Sequence, residues 1–375
     1  MNPLQWIHLA IAFGLVALFW IVPKKARLFV LAGAGMAGMA YLDWRSLLVL
    51  VASSLAVFAL TRRGGKAGYA AAIATCCVTL LGYRAWQVAV AADTSTFVLL
   101  GCAFYLLRLA HYAIDSAAGK VRDHGLAIFI AYCFFWPTLT VGPVNRFDAF
   151  MRDDQRRRWD PRLFISGLER ILFGYFKLVV LANYLLATKF LPFAQNLGGD
   201  DNALGAWLLN MHYGLDLYFR FGAFSDIAIG LSRLVGVRVM ENFRWPYFQA
   251  NIAEFWRSWH ISVSGWCRDY VFSPIAFKLR QPAAGVVASM LILGIWHELS
   301  LRYVLWGLFH GVGIVVHRLW LAYVGPRIGG VPGWIRYGVG MVVTFNFVVL
   351  GYSLTRTDSL AEAGRVFVTI LTLGG

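Results

Sequence analysis

Charge is scarce in this chain. Of 375 residues only 14% are Asp, Glu, Lys or Arg, against 59% hydrophobic, whereas a soluble domain carries about a quarter charged residues. That shortage excludes an ordinary soluble enzyme. Acids are scarcer still, 19 against 34 Lys and Arg. Also missing are fixed-period repeats, low-complexity tracts and a phosphate-loop spacing, because the glycines near 64–68 do not fit one. No histidines stand at His-x-x-x-His spacing, so no metal site is expected. The five cysteines, Cys76, Cys77, Cys102, Cys133 and Cys267, lie in or beside apolar segments with no metal-ligand pair, and read as small buried hydrophobes. Cys267 alone lies near other candidate chemistry.

Long apolar runs are present from end to end, too long and continuous for a transmembrane β-barrel. The fold expected is all-α: a single polytopic integral-membrane domain over 1–375, with about ten to twelve membrane helices, some re-entrant or interfacial. Candidate spans are 4–22, 28–42, 46–60, 67–83 and 96–114, then 163–191, 203–235, 284–297, 303–323, 333–353 and 359–373. The second and third are short and pair as a hairpin around Asp43, Trp44 and Arg45. The first shows no cleavable signal pattern and precedes Lys24, Lys25 and Arg27, so it is expected to stay, with those cations inside. The run 125–141 contains Pro137 and has basic loops on both sides, which a half-crossing helix resolves. The net charge of +15 lies largely in loops between the runs, as the positive-inside bias of cytoplasmic loops requires, so nucleic acid is not implied.

Between 236 and 283 the sequence is too polar to span and too aromatic for a free loop. Over 252–272, Ile252, Phe255, Trp256, Trp259, Val263 and Trp266 fall at helical spacing, the pattern of an interfacial amphipathic helix. On one helix Arg257, His260 and Ser264 share a face. They would bind an acyl or phosphate oxygen, or else meet lipid headgroups. Two Trp-His pairs, Trp259-His260 and Trp296-His297, sit in strongly apolar surroundings, where an ionisable group is costly and reads as functional. His297 would act as a general base or mark a helix end. His310 lies 13 residues further on, about 20 Å away on a continuous helix, so the two meet only if the chain breaks at 298–302. His8, His111, His124 and His212 are expected to lack convergent partners.

The block 236–275, "GVRVMENFRWPYFQANIAEFWRSWHISVSGWCRDYVFSPI", resembles the signature block of the membrane-bound O-acyltransferase family, in its bacterial branch of alginate O-acetylation and D-alanyl transfer. In order, "GPVNRF" (142–147), "GLERILFGYFKLVVLANYL" (167–185), "FSDIAIGLSRLVG" (224–236) and "GIWHELSLRYVLWGLFHG" (294–311) resemble further segments of that branch. The resemblance implies a central tunnel, a catalytic core over 125–320 between N-terminal spans (1–124) and C-terminal spans (321–375), and location in the bacterial inner membrane. It implies His297 as the catalytic base and His260 as the second catalytic histidine. His310, Arg257, Ser264, Trp296 and Asp269 become candidates for positioning the acyl group or acceptor.

No tightly bound cofactor is expected. The donor would be a cytoplasmic thioester, acetyl-CoA or the phosphopantetheine of an acyl or D-alanyl carrier protein, docking on Arg152, Arg156, Arg157 and Arg158. Expected partners are membrane lipids, a carrier protein, a secreted or periplasmic acyltransferase partner and a glycan acceptor. Three departures stand out: Glu298 follows His297 where many relatives have glycine, Arg220 stands where they often carry an acid, and "AFKLRQPAAG" (276–285) replaces a Gly-Gly-Asn-Arg loop. The alternatives are a D-alanyl transferase, a transporter with a histidine proton relay, and a silent scaffold.

Overall fold

The computed structural model describes residues 3–89, 101–328 and 330–372, and every regular element among them is helical. Five segments are long and apolar enough to cross a membrane: Lys24–Arg63, Gly65–Trp86, Pro161–Asn196, Leu301–Tyr323 and Gly333–Arg356. Three apolar helices are shorter: Leu9–Ile21, Leu126–Thr138 and Pro282–His297. Contacts divide the chain into two compact units, Met1–Gly174 with Phe224–Met240, and Tyr175–Ala223 with Glu241–Gly375.

The first unit contains α1 (Pro3–Ile21), α2 (Arg27–Arg63), α3 (Gly65–Ala89), α4 (Cys102–Ala117), α5 (Leu126–Cys133), α6 (Phe147–Arg156) and the start of α7 (Pro161–Phe176). Of the expected span 96–114, residues 102–114 lie in helix α4, which is not among the helices long and apolar enough to cross a membrane, and residues 96–100 lie outside the described residues. Inside α2, Asp43 leaves helical backbone (φ −164°, ψ 106°). Its carboxylate accepts hydrogen bonds from Ser46 N at 2.9 Å and Ser46 Oγ at 2.6 Å, capping a new helix. The chain folds back here. A straight helix would set Gly35 and Ser54 about 28 Å apart. Instead Gly35 abuts the Phe134 carbonyl, Ser54 Oγ meets Tyr105 OH at 2.5 Å, and the Tyr105 and Phe134 rings are 5.4 Å apart. The expected hairpin is therefore present.

Helix α5 has eight residues, about 12 Å, and ends in a tight turn at Trp136–Thr138 that contains Pro137. The carbonyls freed by the break need donors. Arg108, fully buried, donates to Thr138 O and, at 2.7 Å, to Thr138 Oγ1. His111, expected to stand alone, is instead the hub of this unit. It contacts Asp115 at 3.3 Å and Tyr132 OH at 2.7 Å, and accepts from Phe147 N at 3.3 Å. Its partners come from α4, α5 and the start of α6, which no local spacing reveals. His124 likewise meets Tyr112 OH at 3.1 Å, and His212 stacks on Phe190 in the second unit. The side chain of His8 lies outside the described residues. Cys77 is exposed, against expectation, whereas the other four cysteines are buried.

In the second unit α7 continues as a wide π-helix over Lys177–Phe190 into α8 (Leu191–Asn196), and α9 follows (Ala203–Leu234, of which 203–223 belong here). Then come α10 (Ile252–Ser258), α11 (Ile261–Cys267), α12 (Ser273–Leu279), α13 (Pro282–His297), α14 (Leu301–Tyr323), α15 (Gly333–Gly351), α16 (Ser353–Arg356) and α17 (Leu360–Thr372). Helices α13 and α14 form a tight hairpin. A Cβ on Gly294 would come within 2.2 Å of Tyr303 O, and one on Gly307 within 2.4 Å of Met290 O. Small residues let membrane helices approach this closely.

Candidate active site

The expected amphipathic helix over 252–272 is two helices meeting at a corner. All six apolar positions of its face are buried, but the helix stops at Trp259, and His260 adopts a left-handed backbone (φ 48°). The preceding segment holds the corner from both sides. Arg244 N donates to Ser258 O at 3.0 Å and Ile261 N to Asn242 O at 2.8 Å. The Asn242 side chain accepts from Ser262 Oγ at 2.6 Å and Ser262 N at 3.3 Å. These bonds over-determine a conformation that a non-glycine residue resists.

The corner separates the three side chains expected on one face. Arg257 is exposed and paired with Glu254, which also belongs to the helix cap made by Asn251. Ser264 donates to Trp259 O at 2.9 Å. Asp269 is exposed and pairs with Arg268 at 2.9 Å. None of the three lines the cavity described next.

That cavity, about 120 Å³, lies within the second unit. Indoles of Trp256, Trp259 and Trp306 form one part of its wall, and Tyr213, Tyr303 and Tyr352 another, with His297 and His310 also lining it. His297 ends α13. Glu298 caps that helix through its N–H to Gly294 O at 3.0 Å, and its carboxylate turns to Arg302 at 3.1 Å, on the first turn of α14. The chain thus reverses at 298–300, and His310 returns to the side of the cavity, as the sequence required for the two rings to meet. Both contact Trp306, with centroids at 5.7 Å for His297 and 5.0 Å for His310.

His260 does not line the cavity; it sits behind Trp296. The Trp296 indole lies 5.9 Å from the His260 ring and 4.7 Å from the His297 ring. Sequence suggested that both catalytic candidates are buried, but only His260 is; His297 is exposed. Burial, and then the nearby His297, push the His260 imidazole down to about 3, so it is neutral at physiological pH.

The tyrosines were missed because they come from α9, α14 and the α15–α16 junction. Tyr247 OH donates to Gly214 O at 2.7 Å and lies 2.9 Å from Tyr352 OH, and Tyr213 OH donates to Thr355 O at 3.3 Å. Arg220 pairs with Asp216 at 2.7 Å and with Asn183 at 2.7 Å. An acid is therefore still present, one turn earlier on α9.

In the first unit, Arg157 turns inward. It is buried, pairs with Asp154 at 3.2 Å and lies over the Phe19 ring at 5.2 Å. It cannot meet a docking partner, contrary to expectation. Arg152 is exposed but paired with Asp148; Arg156 and Arg158 are exposed.

Among the described residues no group of three or more His, Cys, Asp or Glu side chains is placed to hold a metal. What the cavity offers is imidazole nitrogens and hydroxyls in aromatic walls, a set suited to proton transfer and hydrogen bonding.

Known proteins are similar to this chain. A protein named Probable alginate O-acetylase AlgI, from Pseudomonas aeruginosa, is 34% identical over 286 residues, covering 75% of this chain and 53% of that protein. Teichoic acid D-alanyltransferase of Streptococcus thermophilus is 30% identical over 281 residues, 68% of this chain and 67% of the relative. Peptidoglycan O-acetyltransferase of Helicobacter pylori is 28% identical over 261 residues, 66% and 47%. The chain spans about half the length of the alginate and peptidoglycan relatives. The model of MBOAT, the membrane-bound O-acyltransferase family, matches residues 8–352. With a match across nearly its whole length, this helical, histidine-bearing chain belongs to the membrane-bound O-acyltransferase family.

Proposed function

We propose that the protein transfers acetyl or another small acyl group from a cytoplasmic thioester donor toward an extracytoplasmic glycan or a secreted partner, in a bacterial inner membrane. The observation that carries this is the cavity lined by His297 and His310 within a mostly aromatic wall. In the reaction, an acceptor hydroxyl oxygen bonds to the thioester carbonyl carbon while its proton passes to His297. The carbonyl electron pair moves onto oxygen. Collapse reforms the carbonyl and breaks the C–S bond, and the thiolate leaves with the proton returned from His297. The apolar walls limit bulk water and so suppress hydrolysis of the donor. Trp296, between the two imidazoles, would fix the ring of His297, with His260 packed behind it. Exposed Arg156 and Arg158, with Arg152, would attract the phosphates of coenzyme A or an acidic carrier protein.

D-alanyl transfer from a carrier protein is the second reading. It is favoured by the match to a named D-alanyltransferase, of which the aligned region covers two thirds.

The test is label transfer by the purified protein in liposomes, supplied with labelled acetyl-CoA or D-alanyl carrier. His297→Ala should abolish transfer while the variant inserts and folds normally. Wild-type transfer by that variant would overturn the assignment of the base, and solute flux without label transfer would favour a transporter.

A further inference from the structure

The acyl-transfer reading needs a donor for the carbonyl oxygen as it becomes negative. The sequence offered Arg257, Ser264 and His260, but the first two are bonded elsewhere and the third lies behind Trp296. His310 is differently placed. It is 1% exposed and lines the cavity.

Trp256 Nε1 donates to His310 Nδ1 at 3.4 Å, with the two rings edge to face at 5.2 Å. An indole N–H can only donate. Nδ1 must therefore present its lone pair, which leaves the proton of the neutral ring on Nε2. The remaining ring neighbours, Trp306, Phe309 and Phe347, carry no charge that would hold a second proton. Gly351 packs against the Nε2 side, where the lack of a side chain matters: a Cβ would come within 3.1 Å of that nitrogen and 3.0 Å of Phe309 Cε1. Nε2 makes no hydrogen bond among the described residues.

We infer that Trp256 is a positioning residue that locks His310 as an Nε2–H donor, and that this N–H receives the oxyanion while His297 carries the proton. The lock rests on geometry alone; the oxyanion role rests also on the acyl-transfer reading. The two imidazoles then divide the work: the exposed ring exchanges protons, and the buried ring supplies a fixed dipole.

The experiment uses the full chain in liposomes with ¹⁵N-labelled histidine. The resonance lost in His310→Gln identifies His310, and its shifts report which nitrogen is protonated. Wild type should show Nε2–H alone, and Trp256→Phe, which keeps a ring but removes the donor, should show a mixture. In acyl transfer, His310→Ala should lower kcat by about 100-fold or more, as loss of an oxyanion donor does. His310→Gln should recover much of that loss through its amide N–H. Trp256→Phe should lower kcat roughly three- to tenfold, the range of one hydrogen bond, with KM within about twofold. A wild-type His310 protonated on Nδ1, or a Trp256→Phe variant unchanged in both spectrum and kcat, overturns the lock. His310→Ala at wild-type kcat overturns the oxyanion role. If wild type transfers no acyl group but shows the expected tautomer, the acyl-transfer reading fails and the lock stands.

Discussion

Replacing Gly294 by alanine tests how tightly the catalytic geometry depends on one helix contact. The new methyl would lie 2.2 Å from Tyr303 O and 3.1 Å from Tyr303 C, both backbone atoms of the facing helix. No rotamer change relieves a clash with backbone. Restoring ordinary van der Waals separation parts α13 from α14 by about 1 Å. Overpacking of this kind costs about 1–3 kcal/mol, which a folded protein can absorb. The consequence for chemistry is larger, because His297 sits three residues beyond Gly294 on α13 while Trp306 and His310 sit on α14. A misplacement of about 1 Å in a reacting group can cost about 100-fold in rate. Gly294→Ala should therefore insert and fold with a modestly lower Tm and show kcat reduced by about two orders of magnitude in label transfer. Gly338→Ala on α15, where an added Cβ meets nothing within 4 Å, is the control and should leave kcat unchanged. A Gly294→Ala variant within twofold of wild type would refute the claim that α13–α14 contact sets the position of His297, the proposed base, relative to Trp306 and His310.

Arg157→Ala should destabilise the protein by about 2–4 kcal/mol, since it strips a buried ion pair and the cover over Phe19. Arg158→Ala should change stability by less than about 0.5 kcal/mol and instead raise KM for an anionic donor in a salt-dependent way; equal thermal stability of the two variants would contradict this division. Asp43→Ala should cost about 1 kcal/mol through loss of the cap on Ser46 and speed amide exchange at residues 44–47. Unchanged exchange there would mean that the reversal is held by packing alone.

Where neighbours in sequence decide the structure, the sequence was readable. The reversal at Asp43 follows from two short apolar runs around a polar triplet, and the break before α14 from a polar stretch between two apolar ones. The buried face of 252–266 follows from helical spacing. What failed did so because partners come from far away. The corner at His260 is imposed by Asn242 and Arg244, so helical periodicity continued through a point where the helix does not. Arg157 lies in an arginine run that reads as a solvated patch, yet Phe19 and Asp154 draw it inward. His111 gains its partners only when α4, α5 and the start of α6 come together. At the candidate site the histidines stood out as costly polar groups in apolar sequence. The tyrosines did not, because a tyrosine in an aromatic-rich membrane protein is unremarkable until the fold brings it to the wall of a cavity.

The corner at His260 has a consequence for anyone engineering this protein. Glycine tolerates that backbone freely, whereas an L side chain there forfeits about 1–2 kcal/mol. A directed-evolution campaign scored on heat resistance would be drawn toward glycine at position 260 and would discard the imidazole behind Trp296 along the way. On the proposed role of His260 behind Trp296, robustness and turnover would pull in opposite directions at that one peptide unit, so selection would have to score both.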